Sequence, residues 1–313
     1  MENTTNLPRR IQSRHKGMRK EGIYGTVFAV LPLVGFVLFS LVPIAITFVT
    51  MFVSMEGYRF DTMQWNGFAN FVEAFTDNRF GKSLAISVYI TSAHMIGLIV
   101  SLATSAVLSQ KLKGSKFFTM LFFIPYICSS VAVAIMWRQM FNGSTGIINE
   151  VLKLLGSENG IDWMNNTKAY TPMLIIVIAW QAPGYGIVMF TAALTGVNPS
   201  LYEAARIDGA GRWKQFTAIT LPAISPTTFF LLMMGIIAGM QTFDIVRIFT
   251  GESWTGAAGP KDMGLTTVLY IYYQGIQFRN MPVASVMSFV LFFIIFGLTF
   301  VNYKLGDKWV SYD

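Results

Sequence analysis

The sequence predicts an all-α, polytopic membrane protein with six transmembrane helices, and two observations carry that fold class. Composition is the first: 53% of the residues are hydrophobic and only 12% are charged, against roughly a quarter charged in a soluble domain. The second is how the apolar residues are grouped. A helix needs ~20 residues to cross a hydrocarbon core of ~30 Å. Six runs meet that length: 24–54, 83–109, 117–141, 171–195, 222–247 and 282–303. They form one domain, 24–303, between a basic tail, 1–23, and a short C-terminal tail, 304–313.

The first run follows a basic stretch, as a signal peptide does, but it is too long and lacks a small-x-small cleavage pattern, so it reads as a retained span. Pro32 and Pro43 kink it or mark its edges. In the second run His94 shares a polar stripe with Ser87, Thr91, Ser101 and Ser105, a pattern that packs helices in lipid; lining a pore is the competing reading. The third contains PYICSS, which places Tyr126 and Ser130 on one face. Its Cys128 is the one cysteine of the chain. It reads as a small buried hydrophobe, and no intrachain disulfide or cysteine metal cluster is possible.

In the loop 142–170, GIINEVLKLLG (146–156) has the apolar spacing of a short surface helix, with Trp163 and Tyr170 as interface anchors. The fourth run contains WQAPGYG, where Pro183 among small residues lets a helix unwind, with Trp180 and Gln181 beside the break as a stacking face and an amide. In the fifth, Gly235, Gly239 and Thr242 share a face, which suits a helix contact. However, Gln241, Thr242 and Asp244 follow at once, and polar groups at membrane depth are costly unless they face protein or a water-filled cavity. Aromatic faces beside neutral hydrogen-bonding groups suit a sugar. Pro172, Pro222 and Pro282 stand at span starts, where a missing amide costs little.

Lysine and arginine orient the spans. Of the 23 in the chain, fourteen fall on the two tails, the 110–116 loop and the 198–221 segment, and nine on the other three loops. Both termini and 198–221 are therefore expected on the cytoplasmic side of a cell membrane.

Other function classes find little support. RFGKS (79–83) imitates a phosphate-binding loop, but Thr76 stands where the first glycine belongs and the segment opens a span. His15 and His94 are isolated, so no metal site is expected. The basic residues form no stripe interleaved with exposed aromatics, which argues against nucleic acid. An ion-coupled transporter would want ionisable residues at the midplane and paired broken helices. Asp244 near a span end supports that class poorly.

The segment 198–221 is the most informative. Asn198 is a good N-cap, Pro199 a good first helical residue, and the helix continues until Gly209 interrupts it. Ala204, Ala205, Gly209, Ala210 and Gly211 give a surface with little side-chain bulk, open to close approach by another protein. The residues Glu203-Ala204-Ala205, Gly209, Ile219 and Leu221-Pro222 form the pattern EAA, three residues, Gly, nine residues, Ile-x-Leu-Pro. That pattern resembles the signature of the membrane subunits of binding-protein-dependent ABC importers. YEAARIDGAGRWKQFTAITLP as a whole is similar to the sugar-importing branch, especially permeases like the larger maltose-transport subunit. The chain departs at FTGESWTGAAGP, where many relatives read LTxGGP.

The resemblance implies a type I ABC importer fold in the bacterial plasma membrane, with no catalytic residue and no cofactor in this chain; ATP and Mg would be bound by a partner ATPase. It implies that Glu203, Ala204, Ala205, Asp208 and Gly209 couple to a cytoplasmic ATPase dimer, that a second EAA-bearing permease completes the pore, and that an extracellular binding protein delivers the solute. By motif position, Tyr126, Ser130, Gln181, Ala182, Gly235, Gly239 and Thr242 would line the path, joined by Trp180 and Gln241 from the reading above. A sugar or oligosaccharide is the expected solute; a polyol, a glycerol phosphoester or an acidic oligosaccharide is the alternative.

Overall fold

The computed structural model describes residues 28–109, 113–157, 159–251 and 254–310. The basic tail, the first residues of the first span and the last three residues lie outside them. Among the described residues, five helices are long and apolar enough to cross a membrane: α1 Phe28–Thr50, α3 Asn78–Leu108, α7 Tyr170–Gly196, the pair α10–α11 within Ser225–Thr250, and α13 Met281–Gly306. The third predicted span, 117–141, is not one helix. It is α4 Ser115–Ile127 and α5 Ser130–Met140, bent by 95° at the residues between them. Short elements fill the loops: the hairpin β1 Val53–Ser54 and β2 Gln64–Trp65, and the helices α2 Ala69–Thr76, α6 Ile147–Leu154, α8 Pro199–Ile207, α9 Arg212–Gln215 and α12 Thr267–Tyr272. Within the fifth span, α10 ends at Met240 and α11 begins at Asp244.

Helix α3 is the axis of the bundle, because its small residues admit neighbours on two sides. A Cβ on Gly186 of α7 would come within 2.5 Å of Ser101 Oγ, and one on Gly97 within 2.6 Å of the Ala182 Cβ. On its other side, a Cβ on Gly239 of α10 would lie 2.7 Å from the Thr91 Cα. Hydroxyls complete the contacts: Ser101 Oγ lies 2.9 Å from Pro183 O, Ser105 Oγ donates to Ile187 O at 3.0 Å, and Ser87 pairs with Thr267 at 3.0 Å. The serine stripe is thus a packing face, as its spacing predicts.

Proline is read less well from sequence. The helix does not unwind at Pro183: Ala182 keeps helical angles (φ −62°, ψ −34°), and α7 runs through to Gly196. A proline inside a transmembrane helix is tolerated when neighbours satisfy the freed backbone, and here α3 packs directly against it. The break falls after Pro125 instead, where Cys128 and Ser129 adopt extended ψ of 145° and 128°. In α1, a π-helical turn at Val37–Leu41 precedes Pro43 and absorbs its missing amide.

At the end of the bundle opposite α8, α5, the start of α7, α11, α12 and the start of α13 enclose the main apolar core, including Phe141, Met173, Leu269 and Val286. Tyr170 belongs to this core, with its ring against Gly259 and Gly264, and is not the interface anchor expected of it. Trp163 also turns inward, donating to Asn149 Oδ1 at 2.9 Å. The mimic RFGKS is structural here. Arg79 forms a two-point pair with Asp262, both contacts at 3.0 Å, and Lys82 donates to Lys261 O. The Tyr270 hydroxyl donates to the Asp77 carboxylate. Burial, reinforced by that bond, pushes its pKa up to about 12, so it stays a donor at neutral pH.

Gly239→Ala would drive a methyl group into the backbone of α3. It should lower the stability of the detergent-solubilised protein by about 1–3 kcal/mol, as overpacking does, seen as an earlier thermal transition; an unchanged transition would remove this contact from the framework.

Candidate functional site

The two interruptions of helix converge on one cavity of about 560 Å³. Tyr126 and Ser130 reach it from either side of the α4–α5 break, and Gln241, Thr242, Phe243 and Asp244 from the α10–α11 break. Gln181, Ala182 and Tyr185 of α7, Gly235 of α10, and His94, Leu98 and Ser101 of α3 complete most of its wall.

Seven of the nine sequence-predicted pathway residues are therefore brought together: Tyr126, Ser130, Gln181, Ala182, Gly235, Gln241 and Thr242. Trp180 and Gly239 are not among the lining residues. Trp180 makes an edge contact with Trp137 at 5.4 Å, because one residue along a helix turns the side chain away from the Gln181 face. Gly239 is consumed by the contact with Thr91. His94 takes its second reading and faces the cavity, with its Nδ1 buried and without a hydrogen-bond partner among the described residues. Tyr185 was missed, although its position four residues after Gln181 places both on one face. Its ring stacks on Tyr126 at 5.6 Å between centroids. Cys128, at the break, is exposed and not buried as its apolar run suggested.

A broken helix frees carbonyl groups that lipid cannot satisfy. Gln181 Nε2 donates to Pro125 O at 3.3 Å and reaches Cys128 O at 3.5 Å, while the Thr266 hydroxyl donates to Thr242 O at 2.9 Å. Gln181 thus holds the α4–α5 corner open while showing its amide to the cavity. The rest of the lining combines aliphatic side chains with aromatic rings, neutral donors and acceptors and the Asp244 carboxylate, a mixture of apolar and hydrogen-bonding surface that suits a polyhydroxylated solute.

The second candidate surface is the 198–223 connection between α7 and α10. Asn198 caps α8, its side chain accepting from Ser200 N at 3.0 Å. Gly209 ends the helix with φ +74°, which only glycine takes easily. Bonds from Ala210 N to Ala205 O (2.8 Å) and from Gly209 N to Arg206 O (3.1 Å) close a Schellman motif. Gln215 Nε2 then donates to Ala210 O at 2.7 Å, and Tyr202 pairs with Thr220 at 2.9 Å, fixing α8 against the chain that leads into α10. Glu203, Ala204, Asp208 and Gly209 are exposed and Ala205 half-buried. Ile207 and Trp213 are 87% and 76% exposed, so apolar area stands uncovered beside these charges.

Residues 95–305 match the family described as the binding-protein-dependent transport system inner membrane component. The chain belongs to that family. This inner-membrane component is 33% identical over 304 residues to the probable ABC transporter permease protein YesP of Bacillus subtilis, covering 96% of each chain. It is 31% identical over 251 residues to the sn-glycerol-3-phosphate transport system permease protein UgpA of Yersinia enterocolitica, covering 79% of this chain and 82% of that one. Its fold is that of a chain in a bacterial ABC transporter involved in the import of the acidic polysaccharide alginate. The TM-score is 0.77 at 21% identity, with 96% of this chain and 100% of the other covered. The chain is the permease of an ABC importer.

Gln181→Leu keeps the size of the side chain and removes its donors. It should destabilise the permease by about 0.5–1.5 kcal/mol, the net contribution of a hydrogen bond to a part-buried carbonyl, as read from thermal unfolding in detergent. A variant as stable as the parent would show that the corner does not depend on Gln181.

Proposed function

We propose that this permease carries a sugar or oligosaccharide through the Tyr126–Gln181–Thr242 cavity, with energy supplied by a cytoplasmic ATPase dimer docked on α8. The observation that carries this reading is the meeting of both helix breaks at one cavity whose wall combines stacked tyrosines, neutral polar groups, aliphatic side chains and Asp244. In a related fold the solute is a polysaccharide: a bacterial alginate transporter is described in complex with an alginate pentasaccharide-bound periplasmic protein, with a TM-score of 0.76. For this chain, delivery by an extracellular binding protein and completion of the pore by a second EAA-bearing permease follow from the same proposal. ATP and Mg belong to the ATPase.

The mechanism follows from the connectivity. Glu203 offers charge to the ATPase, Ala204 and Ala205 allow close approach, and Gly209 with Asp208 forms the closed end of the docked helix. The 198–223 segment joins α7, which contributes Gln181 to the cavity wall, to α10, which leads into the break that contributes Thr242. Movement of the ATPase pair therefore reaches the solute site through one short, capped lever. The lysine and arginine bias supports placing that lever and both termini in the cytoplasm.

Glu203→Lys and Gly209→Trp should each abolish uptake while the permease remains inserted in the membrane fraction. Normal transport by either would sink the docking assignment. In cells with ATP intact, an ionophore should leave uptake unchanged; collapse of uptake would favour an ion-coupled carrier. Thr242→Leu should shift solute affinity or range more than assembly, measured as uptake competition; identical transport of every solute would remove Thr242 from the path.

A further inference from the structure

We infer that Asp244 sets the charge selectivity of this half of the pathway, and that the transported solute is a neutral polyhydroxylated molecule whose hydroxyls donate to the Asp244 carboxylate. The inference rests on the cavity reading above. Asp244 is the first residue of α11, directly after the break at 241–243, and is exposed to the cavity. Among the described residues it is the one carboxylate in the lining, and no lysine or arginine lines the cavity.

Nothing in the described chain neutralises it. Asp244 forms no ion pair or side-chain hydrogen bond among the described residues. The arginines of the flanking helices are engaged elsewhere. Arg138 donates to Ile248 O at 3.2 Å, while Arg247 donates to Gly251 O and lies over the Tyr272 ring at 5.6 Å. The His94 ring offers the other ionisable group of the wall apart from the tyrosines, and its Nδ1 is buried.

An unpaired carboxylate in the wall repels a second anion that enters the same cavity. Conversely, it accepts hydrogen bonds from two adjacent hydroxyls, and such charge-assisted bonds are about twice as strong as neutral ones. The distinction matters because the solutes named for the relatives, sn-glycerol-3-phosphate and alginate, are both anionic. Likeness to those proteins would suggest an acidic cargo; the charge on the wall argues for a neutral one.

The test is uptake by the complete importer, reconstituted in vesicles with its binding protein and ATP. The probes are neutral and uronic-acid mono- to tetrasaccharides together with sn-glycerol 3-phosphate. Affinity of the binding protein for each probe is measured separately, and rates are compared at equal occupancy. Wild type should take up a neutral probe and reject the anionic ones. Asp244→Asn should lower neutral uptake efficiency about tenfold, the scale of one lost charge-assisted bond, and should admit an anionic probe. Asp244→Glu should keep the exclusion. Comparable wild-type rates for anionic and neutral probes, or an Asn variant indistinguishable from wild type, would overturn the inference and leave the importer reading standing. Absence of ATP-dependent uptake across the whole panel would overturn the sugar-importer reading itself.

Discussion

The close approach of α3 to α7 and α10 is the constraint on which the rest of the molecule depends. Lipid tails are as apolar as leucine, so helices in a membrane associate through contact and interhelical hydrogen bonds and not through hydrophobic exclusion. Gly97 against Ala182, Gly186 against Ser101 and Gly239 against Thr91 bring three backbones together where a single methyl group would intrude. With those distances fixed, the bulkier residues of α3 have defined places. His94 and Leu98 face the cavity, and Ser105 bonds the backbone of α7.

The cavity exists because two other spans do not stay helical. Breaking a helix at membrane depth leaves carbonyl groups that must find donors within the protein. Gln181 supplies one break and Thr266 the other. Each donor ties its break to a neighbouring helix, so that satisfying the backbone also fixes the shape of the wall. Polar side chains at 126–130 and 241–244 are tolerated for the same reason: they border the cavity created by the interruption that exposes them.

Much of this was legible in the sequence, and the parts that were not share a cause. The apolar runs, the capped helix at 199–207 and its end at Gly209 depend on local chemistry, which the residues themselves display. The site of helix breakage does not. Pro125 and Pro183 remove the same backbone amide, yet the chain bends by 95° just after the first and continues through the second, because α3 supports α7 from the side. Faces one residue apart were confused for the same reason. Trp180 and Gln181 differ by about 100° around the helix, as 3.6 residues per turn require, and only the tertiary contacts decide which one meets the cavity. Tyr170 looked like an anchor by type and position, but Gly259 and Gly264 open a slot for its ring that the sequence does not advertise.

The two ends of the bundle are finished differently, and that asymmetry bears on how the permease works. One end has a large core and a clasp of Arg79, Asp262, Tyr270 and Asp77 that ties the start of α3 to α12 and the chain before it. The other has a small cluster of Phe190, Ile224 and Leu231 beneath a lever whose Ile207 and Trp213 are uncovered. Fully burying one large apolar side chain contributes ~1.5–3 kcal/mol, so a partner closing over both would gain a substantial part of a docking free energy. The lever itself is rigid, being capped at Asn198, closed at Gly209 and pinned by Gln215 and Tyr202. In the importer cycle proposed above, a capped element on the end with the smaller core, joined to α7 and α10, is the part placed to pass displacement to the cavity, and the clasped end with the larger core is the part placed to resist it.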